Sequence, residues 1–193
     1  MFLATVIHQY TGLNFTLYSN LSTMKREVQK KILEHHNNIR RSVIPTASNM
    51  LKMEWSSEVA SNAQRWADEC KTENSRFSSR SVNDTICGEN LFRSSFPASW
   101  DDVILDWTLQ KKNFIYGVGA INESHNFLAY TQMIWYRTYE IGCGFSQCPK
   151  DVYAFFYVCH YCPAGNEVTS LATPYKKGDR CADCPQSCQN GLC

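Results

Sequence analysis

The sequence predicts an α/β protein in which helices sandwich a β-sheet, followed by a small disulfide-rich tail. Three observations favour this architecture. Helical periodicity dominates the first half of the chain, two runs rich in aromatic and β-branched residues follow in the second half, and four of the ten cysteines fall within the last thirteen residues. A chain of 193 residues is long enough for one domain with an ordinary hydrophobic core.

The first half of the chain predicts three helices. Apolar residues and one histidine recur at helical spacing from Val28 to Val43, and Pro45 ends the pattern. Ser56 is a typical N-cap residue, and the apolar face of the second helix follows it and includes Cys70. Ser99 and Asp102 form a capping-box pattern at the start of the third helix.

The second half of the chain predicts a β-hairpin. The runs from Glu140 to Gln147 and from Val152 to His160 are rich in Tyr, Phe, Ile and Val, and Pro149-Lys150-Asp151 forms a turn between them. The second run is apolar at both alternating sets of positions. A strand of this composition is covered on both faces, which predicts a central position in the sheet.

The chain divides into three segments on composition. Residues 1–24 lack periodicity and form either an exposed N-terminal arm or a poor signal segment, because the apolar run from Met1 to Ile7 is interrupted by polar residues. A start that is truncated or misassigned is the alternative. Residues 25–174 form the main domain, and a stretch rich in Thr, Pro, Lys and Gly leads into the tail at residues 175–193.

The cysteines of the tail form either a disulfide cluster or a metal site. They are Cys181, Cys184, Cys188 and Cys193. Their spacing is a poor match to the paired Cys-x2-Cys arms of a zinc site, and the tail contains no histidine. Two disulfides are therefore the favoured interpretation.

The composition favours an extracellular protein. Ten cysteines are an even number that allows complete oxidation, and Asn14, Asn20, Asn83 and Asn122 each begin a glycosylation sequon. The formal net charge of +1 predicts no affinity for nucleic acid or for an anionic membrane surface. We expect a secreted, soluble glycoprotein.

Four sequence stretches resemble the cysteine-rich secretory proteins of the CAP superfamily. Phe156 to Asn166 and Tyr130 to Trp135 are similar to the two signatures of that family, and Cys87 to Leu91 and Ala47 to Trp55 are similar to further family stretches. The similarity extends from about Val28 to Cys193. It implies the CAP fold, an α-β-α sandwich, followed by a cysteine-rich hinge, which agrees with the order of elements above.

The resemblance also implies a disulfide pattern, which spacing alone does not select. The implied pairs are Cys70–Cys148, Cys87–Cys162 and Cys143–Cys159 in the main domain, and Cys181–Cys188 and Cys184–Cys193 in the hinge.

The central cleft of the family commonly carries two histidines and two glutamates that bind a divalent metal, and this sequence departs from that set. The corresponding positions are Asn74, Glu89, Gln110 and Ala129, so only the glutamate of Gly-Glu-Asn is retained. Zinc sites need three or four strong ligands. We therefore expect no metal and no cofactor. His125 could replace the second histidine only if a gap were placed in a segment whose length already matches the family.

The same departure argues against an enzyme. Hydrolysis needs an activated nucleophile or a metal-bound water, and Glu89 alone supplies neither. The disulfide pattern uses every cysteine. His35 and His36 are neighbours that point in different directions from a helix and cannot chelate together, and His160 is interpreted as structural.

The loop from Phe114 to Gly119 resembles the segment through which some superfamily members hold sterols or other lipids. Phe114 and Tyr116 are its aromatic residues, and two glycines make its backbone flexible. An ordinary surface loop would have the same composition.

The family's full-length members continue past the hinge into a further cysteine-rich region associated with ion-channel regulation, whereas this chain stops at the last hinge cysteine. We therefore expect no channel regulation by that route. A family member from amphibian egg jelly also has the main domain and hinge without that region, and it attracts sperm.

Family members are concentrated in the male reproductive tract, in venoms and in defence secretions. The resemblance thus implies a secreted, non-enzymatic ligand in fertilization, either a sperm chemoattractant or another gamete-interaction factor, with an unidentified cell-surface receptor. The alternatives are an extracellular sterol or lipid carrier, a residual metal-dependent enzyme, and a splice form or decaying copy without a dedicated role.

Overall fold

A computed structural model of the protein describes residues 18–71, 73–122 and 124–193. Most of the segment predicted as an N-terminal arm or signal, including the sequon at Asn14, lies outside these residues. The division of the chain at residues 24 and 174 stays a prediction. Within the described ranges, no helix is both long enough and apolar enough to cross a membrane.

The described chain forms four α-helices and eight β-strands. The helices are α1 (Arg26–Arg41), α2 (Ser57–Asp68), α3 (Trp100–Leu109) and α4 (Leu128–Met133). The strands are β1 (Glu54–Trp55), β2 (Ser81–Val82), β3 (Thr85–Ile86), β4 (Gly88–Ser94), β5 (Phe114–Ile115), β6 (Gly119–Ala120), β7 (Glu140–Gln147) and β8 (Phe155–Cys162). Short 3-10 turns cover Ser19–Leu21, Phe77–Arg80, Gln110–Asn113 and Val168–Ser170.

The main sheet has the strand order β1-β7-β8-β4. Strand β1 runs parallel to β7, and the other neighbours are antiparallel. Strands β2 and β3, and strands β5 and β6, form separate two-stranded hairpins. All eight residues of β8 are buried, which confirms the predicted central strand.

The predicted hairpin of β7 and β8 is present, but its second strand was placed three residues too early. It begins at Phe155 rather than Val152 and ends at Cys162 rather than His160. The reason lies in the turn. The backbone N–H of Cys148 donates to Ala154, and the N–H of Tyr153 donates to the side chain of Asp151, so these residues close the loop instead of joining the ladder.

Both predicted helix caps are present. The hydroxyl of Ser56 accepts a hydrogen bond from the N–H of Val59 at the start of α2, and Ser99 and Asp102 form a capping box at the start of α3. Cys70 does not lie on α2 as predicted, because the helix ends at Asp68 and Cys70 adopts a φ of 55° beyond it.

Helix α2 packs closely on one face of the sheet because two glycines of β7 lie beneath it. A Cβ atom at Gly142 would stand 2.0 Å from the backbone nitrogen of Ala60, and one at Gly144 would stand 2.5 Å from the Cα of Gln64. Neither position has room for a side chain. The side-chain amide of Gln64 then donates to the carbonyl of Phe145 at 2.9 Å, which joins the helix to the strand.

The opposite face of the sheet carries the largest hydrophobic cluster, against α1, α3 and α4. Its fully buried members include Ile32, Trp107, Met133, Tyr157 and Tyr161. Helices therefore cover both faces of the sheet, as the α-β-α sandwich requires.

Five disulfides account for all ten cysteines, and they are the pairs that the resemblance implies. They join Cys70 to Cys148, Cys87 to Cys162, Cys143 to Cys159, Cys181 to Cys188 and Cys184 to Cys193. Three sulfur atoms of the hinge lie within 4.8 Å of one another, but all three belong to disulfides and offer no thiolate for a metal.

The hinge is bonded to the main domain along residues 46–52. The N–H of Ser48 donates to Lys176, the N–H of Asp183 donates to Ser48, and Cys193 exchanges backbone hydrogen bonds with Met50 and Lys52. A second hydrophobic cluster, which includes Val43 and Tyr175, lies under this contact. A segment with few apolar residues is thus held against the main domain by backbone hydrogen bonds, and its two disulfides, which both lie within the hinge, stabilise its own fold.

Arg40 joins α1 to two loops below the hinge. Arg40 is 1% exposed, and its guanidinium group donates only to backbone carbonyls among the described residues. The acceptors are the carbonyls of Leu51, Met133, Trp135, Tyr136 and Thr138. Burial lowers the pKa of Arg40 to about 9, so the group stays charged at neutral pH.

His36 forms the centre of a buried hydrogen-bond chain. Its Nδ1 lies 2.8 Å from the carbonyl of Ile32 and must donate, so its Nε2, 2.9 Å from the hydroxyl of Tyr161, accepts. Asn90 donates to the same hydroxyl at 3.2 Å. Burial lowers the pKa of His36 to about 4 because the interior disfavours the charged imidazole.

We predict that His36 makes stability depend on pH. Its pKa is lower in the folded state than in the unfolded state, so its contribution is complete above about pH 6.5 and is lost as the pH falls towards 4. The loss should reach roughly 3 kcal/mol. Denaturant titrations from pH 7 to pH 4 should show a smaller decline in unfolding free energy for His36→Phe than for the wild type.

His35→Gln provides the matched control, because His35 is a neighbouring histidine whose side chain is 43% exposed. This variant should retain most of the wild-type decline. Equal slopes for His36→Phe and the wild type would contradict the assignment.

Candidate functional site

A cleft of about 370 Å³ lies beside the edge strand β4. The turn Phe77–Arg80 forms one wall, and the residues around the start of α4 and Ala164 to Asn166 form the other. Its lining includes all four positions that correspond to the family's metal ligands, which are Asn74, Glu89, Gln110 and Ala129. The fold thus brings these four residues together, as the alignment by motifs implied.

Glu89 is the buried charge of this cleft, and both of its carboxylate oxygens are occupied. Oε1 accepts from Asn74 Nδ2 at 2.9 Å, from the N–H of Ser75 at 2.8 Å and from Arg80 Nη1 at 3.4 Å. Oε2 accepts from Ser75 Oγ at 2.7 Å and from His160 Nε2 at 2.9 Å. The Glu89 side chain has no exposed area.

These donors keep Glu89 ionised. Burial by itself raises the pKa of the carboxyl group, but the hydrogen bonds from His160, Ser75 and Asn74 outweigh it and hold the pKa below its usual value. The carboxylate therefore persists at neutral pH as a satisfied structural anion.

Arg80 supplies the opposite charge on the wall of the cleft. Its Nε donates to the carbonyl of Cys87 at 2.8 Å, and its Nη1 donates to the hydroxyl and the carbonyl of Ser75. Burial lowers the pKa of Arg80, and the neighbouring Glu89 raises it. The guanidinium carbon lies 4.3 Å from the ring centroid of Phe77, so Arg80 also packs against that aromatic side chain.

Sequence reasoning missed three of the residues that bind Glu89, namely Ser75, Arg80 and His160. His160 was interpreted as structural, and its partner was not identified. A signal for it existed. The implied disulfide joins Cys87, which directly precedes β4, to Cys162 at the end of the antiparallel strand β8. Two steps from each cysteine then place Glu89 opposite His160, as the register shows.

The cleft lacks the geometry of a nucleophilic triad. Ser75 Oγ and His160 Nε2 both bind the same oxygen of Glu89 and form no hydrogen bond with each other. Activation of a serine requires a base that accepts the hydroxyl proton, with the carboxylate behind that base. Here the carboxylate stands between the two groups, and the arrangement orders the wall of the cleft.

The loop that resembles the family's lipid-holding segment packs inward at both aromatic residues. Phe114 contacts Phe127 and Tyr130, with ring centroids 5.5 and 6.2 Å away. Tyr116 packs on Tyr175, and its hydroxyl donates to the carbonyl of Tyr175 at 2.7 Å. Both side chains therefore belong to the cluster that supports the hinge.

The asparagines of three of the four sequons lie in the described chain, and all three are exposed. These are Asn20, Asn83 and Asn122. Asn83 occupies the tight turn between β2 and β3, where its φ is 47°. Attachment of glycans to these residues stays a prediction.

Comparison with known proteins identifies the family. Residues 33–161 match the pattern of the cysteine-rich secretory protein family, CAP. The chain belongs to the CAP family. This result confirms the resemblance, and the mixed helix and sheet architecture agrees with the CAP fold.

Solved CAP structures resemble this chain over most of its length. Na-ASP-1 is 26% identical, with a TM-score of 0.71, and the match covers 86% of this chain and 46% of Na-ASP-1. This chain thus spans about half of that protein. NaASP2, whose structure was determined with Zn2+, is 28% identical, with a TM-score of 0.70 and coverage of 88% and 96%.

A third structure, venom allergen-like protein 4 of Schistosoma mansoni, is 24% identical, with a TM-score of 0.66. The match covers 83% of this chain and 100% of that protein, and at this identity it supports the fold alone.

The CAP cleft of this chain does not fit zinc. Both oxygens of Glu89 already accept hydrogen bonds from the protein. The amide oxygen of Gln110 accepts from the N–H of Ala129, and the side chain of Ala129 has no atom that could bind a metal. Asn74 directs its donor nitrogen at Glu89. His125, considered as a replacement ligand, is exposed and does not line the cleft. The donor set therefore lacks the three or four strong ligands that zinc requires.

We predict that a rebuilt CAP cleft binds zinc and that the native cleft does not. Isothermal titration with ZnCl2 should show no saturable binding to the dialysed wild type. The triple variant Asn74→His, Gln110→Glu, Ala129→His restores two imidazoles and a second carboxylate, and it should bind about one equivalent.

Thermal melting should first establish that the variant is folded. Stoichiometric binding of zinc to the wild type at micromolar concentration would contradict the assignment.

Proposed function

We propose that this protein is a secreted, non-enzymatic CAP-domain ligand in reproduction that acts on sperm as a chemoattractant through a cell-surface receptor. One observation carries the non-enzymatic part of the proposal. The retained glutamate of the cleft, Glu89, has every oxygen engaged by internal donors and is paired with Arg80 and His160. A carboxylate in this state cannot accept a proton from a substrate or bind a metal without first losing its partners.

The covalent framework supports the extracellular part of the proposal. All ten cysteines form disulfides, and such bridges persist in oxidising compartments. The exposed sequons at Asn20, Asn83 and Asn122 agree with passage through a secretory route.

Family resemblance supports the reproductive part of the proposal. The signatures at Tyr130 to Trp135 and Phe156 to Asn166 resemble those of the cysteine-rich secretory proteins, which are concentrated in the male reproductive tract, in venoms and in defence secretions. A domain that recognises a partner by its surface needs no reactive group, and this cleft offers none among the described residues.

Within the described ranges, the two aromatic side chains named for lipid binding do not favour the lipid carrier as a second candidate. Its two named side chains, Phe114 and Tyr116, are engaged in the packing below the hinge. The residual metal-dependent enzyme has no support in the donor set of the cleft.

A two-chamber migration assay tests the proposal. The chain is expressed behind a strong signal peptide and purified from the medium as oxidised, monodisperse protein. Sperm should accumulate along a gradient of this protein, should not accumulate when both chambers hold equal concentrations, and should ignore a reduced and alkylated sample, because the surface depends on the disulfides.

The absence of directed migration at every concentration, with a known attractant working in parallel, would contradict the role in attraction. Directed migration towards the alkylated sample would show that the folded surface is not responsible.

A further inference from the structure

Of the six amide side chains that line the cleft, those of Asn74, Gln110 and Asn126 are hydrogen-bonded at one end only among the described residues. Gln110 Oε1 accepts from the N–H of Ala129 at 3.0 Å, and Asn126 Oδ1 accepts from the N–H of Leu128 at 3.0 Å. Asn74 is anchored through its nitrogen, which donates to Glu89 at 2.9 Å. The nitrogens of Gln110 and Asn126 and the oxygen of Asn74 have no partner among the described residues.

This arrangement presents two amide donors and one acceptor with fixed orientations. An amide has two donor hydrogens on nitrogen and two acceptor positions on oxygen, so anchoring one end orients the other. All three residues line the cleft. Groups that are already oriented lose little conformational entropy when a ligand binds.

An exposed aromatic ring completes the lining. The Phe77 side chain is 63% exposed although it lines the cleft. The guanidinium of Arg80 covers one face of the ring at 4.3 Å, so the exposed area belongs to the opposite face and the edge. Such a ring is a platform for an apolar surface of a ligand.

The cleft offers no unpaired charge among its described residues. Glu89 is buried and saturated, and the Arg80 side chain is 8% exposed and bonded to Cys87, Ser75 and Glu89. An anionic ligand would meet only the largely buried Arg80 guanidinium, which is already paired with Glu89, and a cationic ligand would meet a carboxylate whose oxygens are already occupied. The lining therefore favours an uncharged ligand that has both hydroxyl groups and an apolar face.

We propose that the cleft beside β4 binds an uncharged saccharide. A sugar hydroxyl both accepts and donates, so neighbouring hydroxyls can accept from Gln110 and Asn126 and donate to the oxygen of Asn74. The C–H face of the ring stacks on Phe77. The volume of about 370 Å³ lies within the range of small-ligand pockets. The proposal does not rest on the role in sperm attraction, and the two are measured separately.

The test uses the full, disulfide-bonded chain on an array of neutral, sialylated and sulfated oligosaccharides. The strongest neutral oligosaccharide is then titrated by calorimetry. When the array gives no signal, saturation-transfer NMR with millimolar mannose, galactose and N-acetylglucosamine replaces it. We expect neutral sugars to bind, and we expect a sulfate or sialic acid group to give no increase in affinity over the matching neutral sugar.

Three substitutions separate a built site from a nonspecific surface. Gln110→Glu and Asn126→Asp keep the anchoring oxygen and the shape but remove the free donors, and Phe77→Ala removes the platform. Each should weaken binding by at least about tenfold. Phe96→Ala, at a 67% exposed ring outside the cleft, and Gln189→Glu, in the hinge, are the matched controls and should leave affinity unchanged.

Melting temperatures close to that of the wild type exclude unfolding as the cause. The proposal is overturned if no neutral sugar binds at millimolar concentration, if only sulfated or sialylated sugars bind, or if the three cleft variants bind as well as the controls. Displacement of a bound sugar by an Asn- or Gln-rich peptide of higher affinity would assign the cleft to peptide recognition instead.

Discussion

The cleft depends on one buried carboxylate and the five donors that surround it. Glu89 brings together the segment from Ser75 to Arg80, the edge strand β4 and the central strand β8. An ionised carboxylate is expensive to bury, and hydrogen bonds and opposite charge compensate for that cost. Both oxygens of Glu89 accept hydrogen bonds from groups of the protein itself. The carboxylate that orders the wall of the cleft therefore cannot also act as a base or as a metal ligand.

The rest of the fold holds these donors in register. The disulfide between Cys87 and Cys162 lies two positions from the pair of Glu89 and His160 on the same two strands, so it fixes the alignment of their side chains. Arg40 serves a similar purpose under the hinge, where it binds backbone carbonyls of two segments of the chain. In both arrangements the charged groups have structural roles, so the groups of the cleft that can bind a ligand are neutral amides and an aromatic ring.

Local patterns were sufficient to predict much of the architecture. Helical spacing and the caps at Ser56 and Ser99 located α2 and α3, because these signals act within a few residues. The predicted start of β8 was wrong because the preceding turn is fixed by hydrogen bonds of Asp151 and Ala154. The composition of the segment does not reveal these bonds. Alignment by motifs placed Glu89 in the cleft, but its partner His160 follows only from strand register, which is a long-range property. The acceptors of Arg40 are backbone carbonyls, and these leave no trace in a sequence.

The state of the Glu89 carboxylate is the most direct test of this account. NMR titration of its side-chain carbonyl carbon, assigned by comparison with Glu89→Gln, reports both the protonation of the group and any contact with a metal. The account predicts a pKa below the usual value for glutamate and no change in chemical shift when zinc is added. A pKa at or above the usual value, or a zinc-dependent shift, would contradict it.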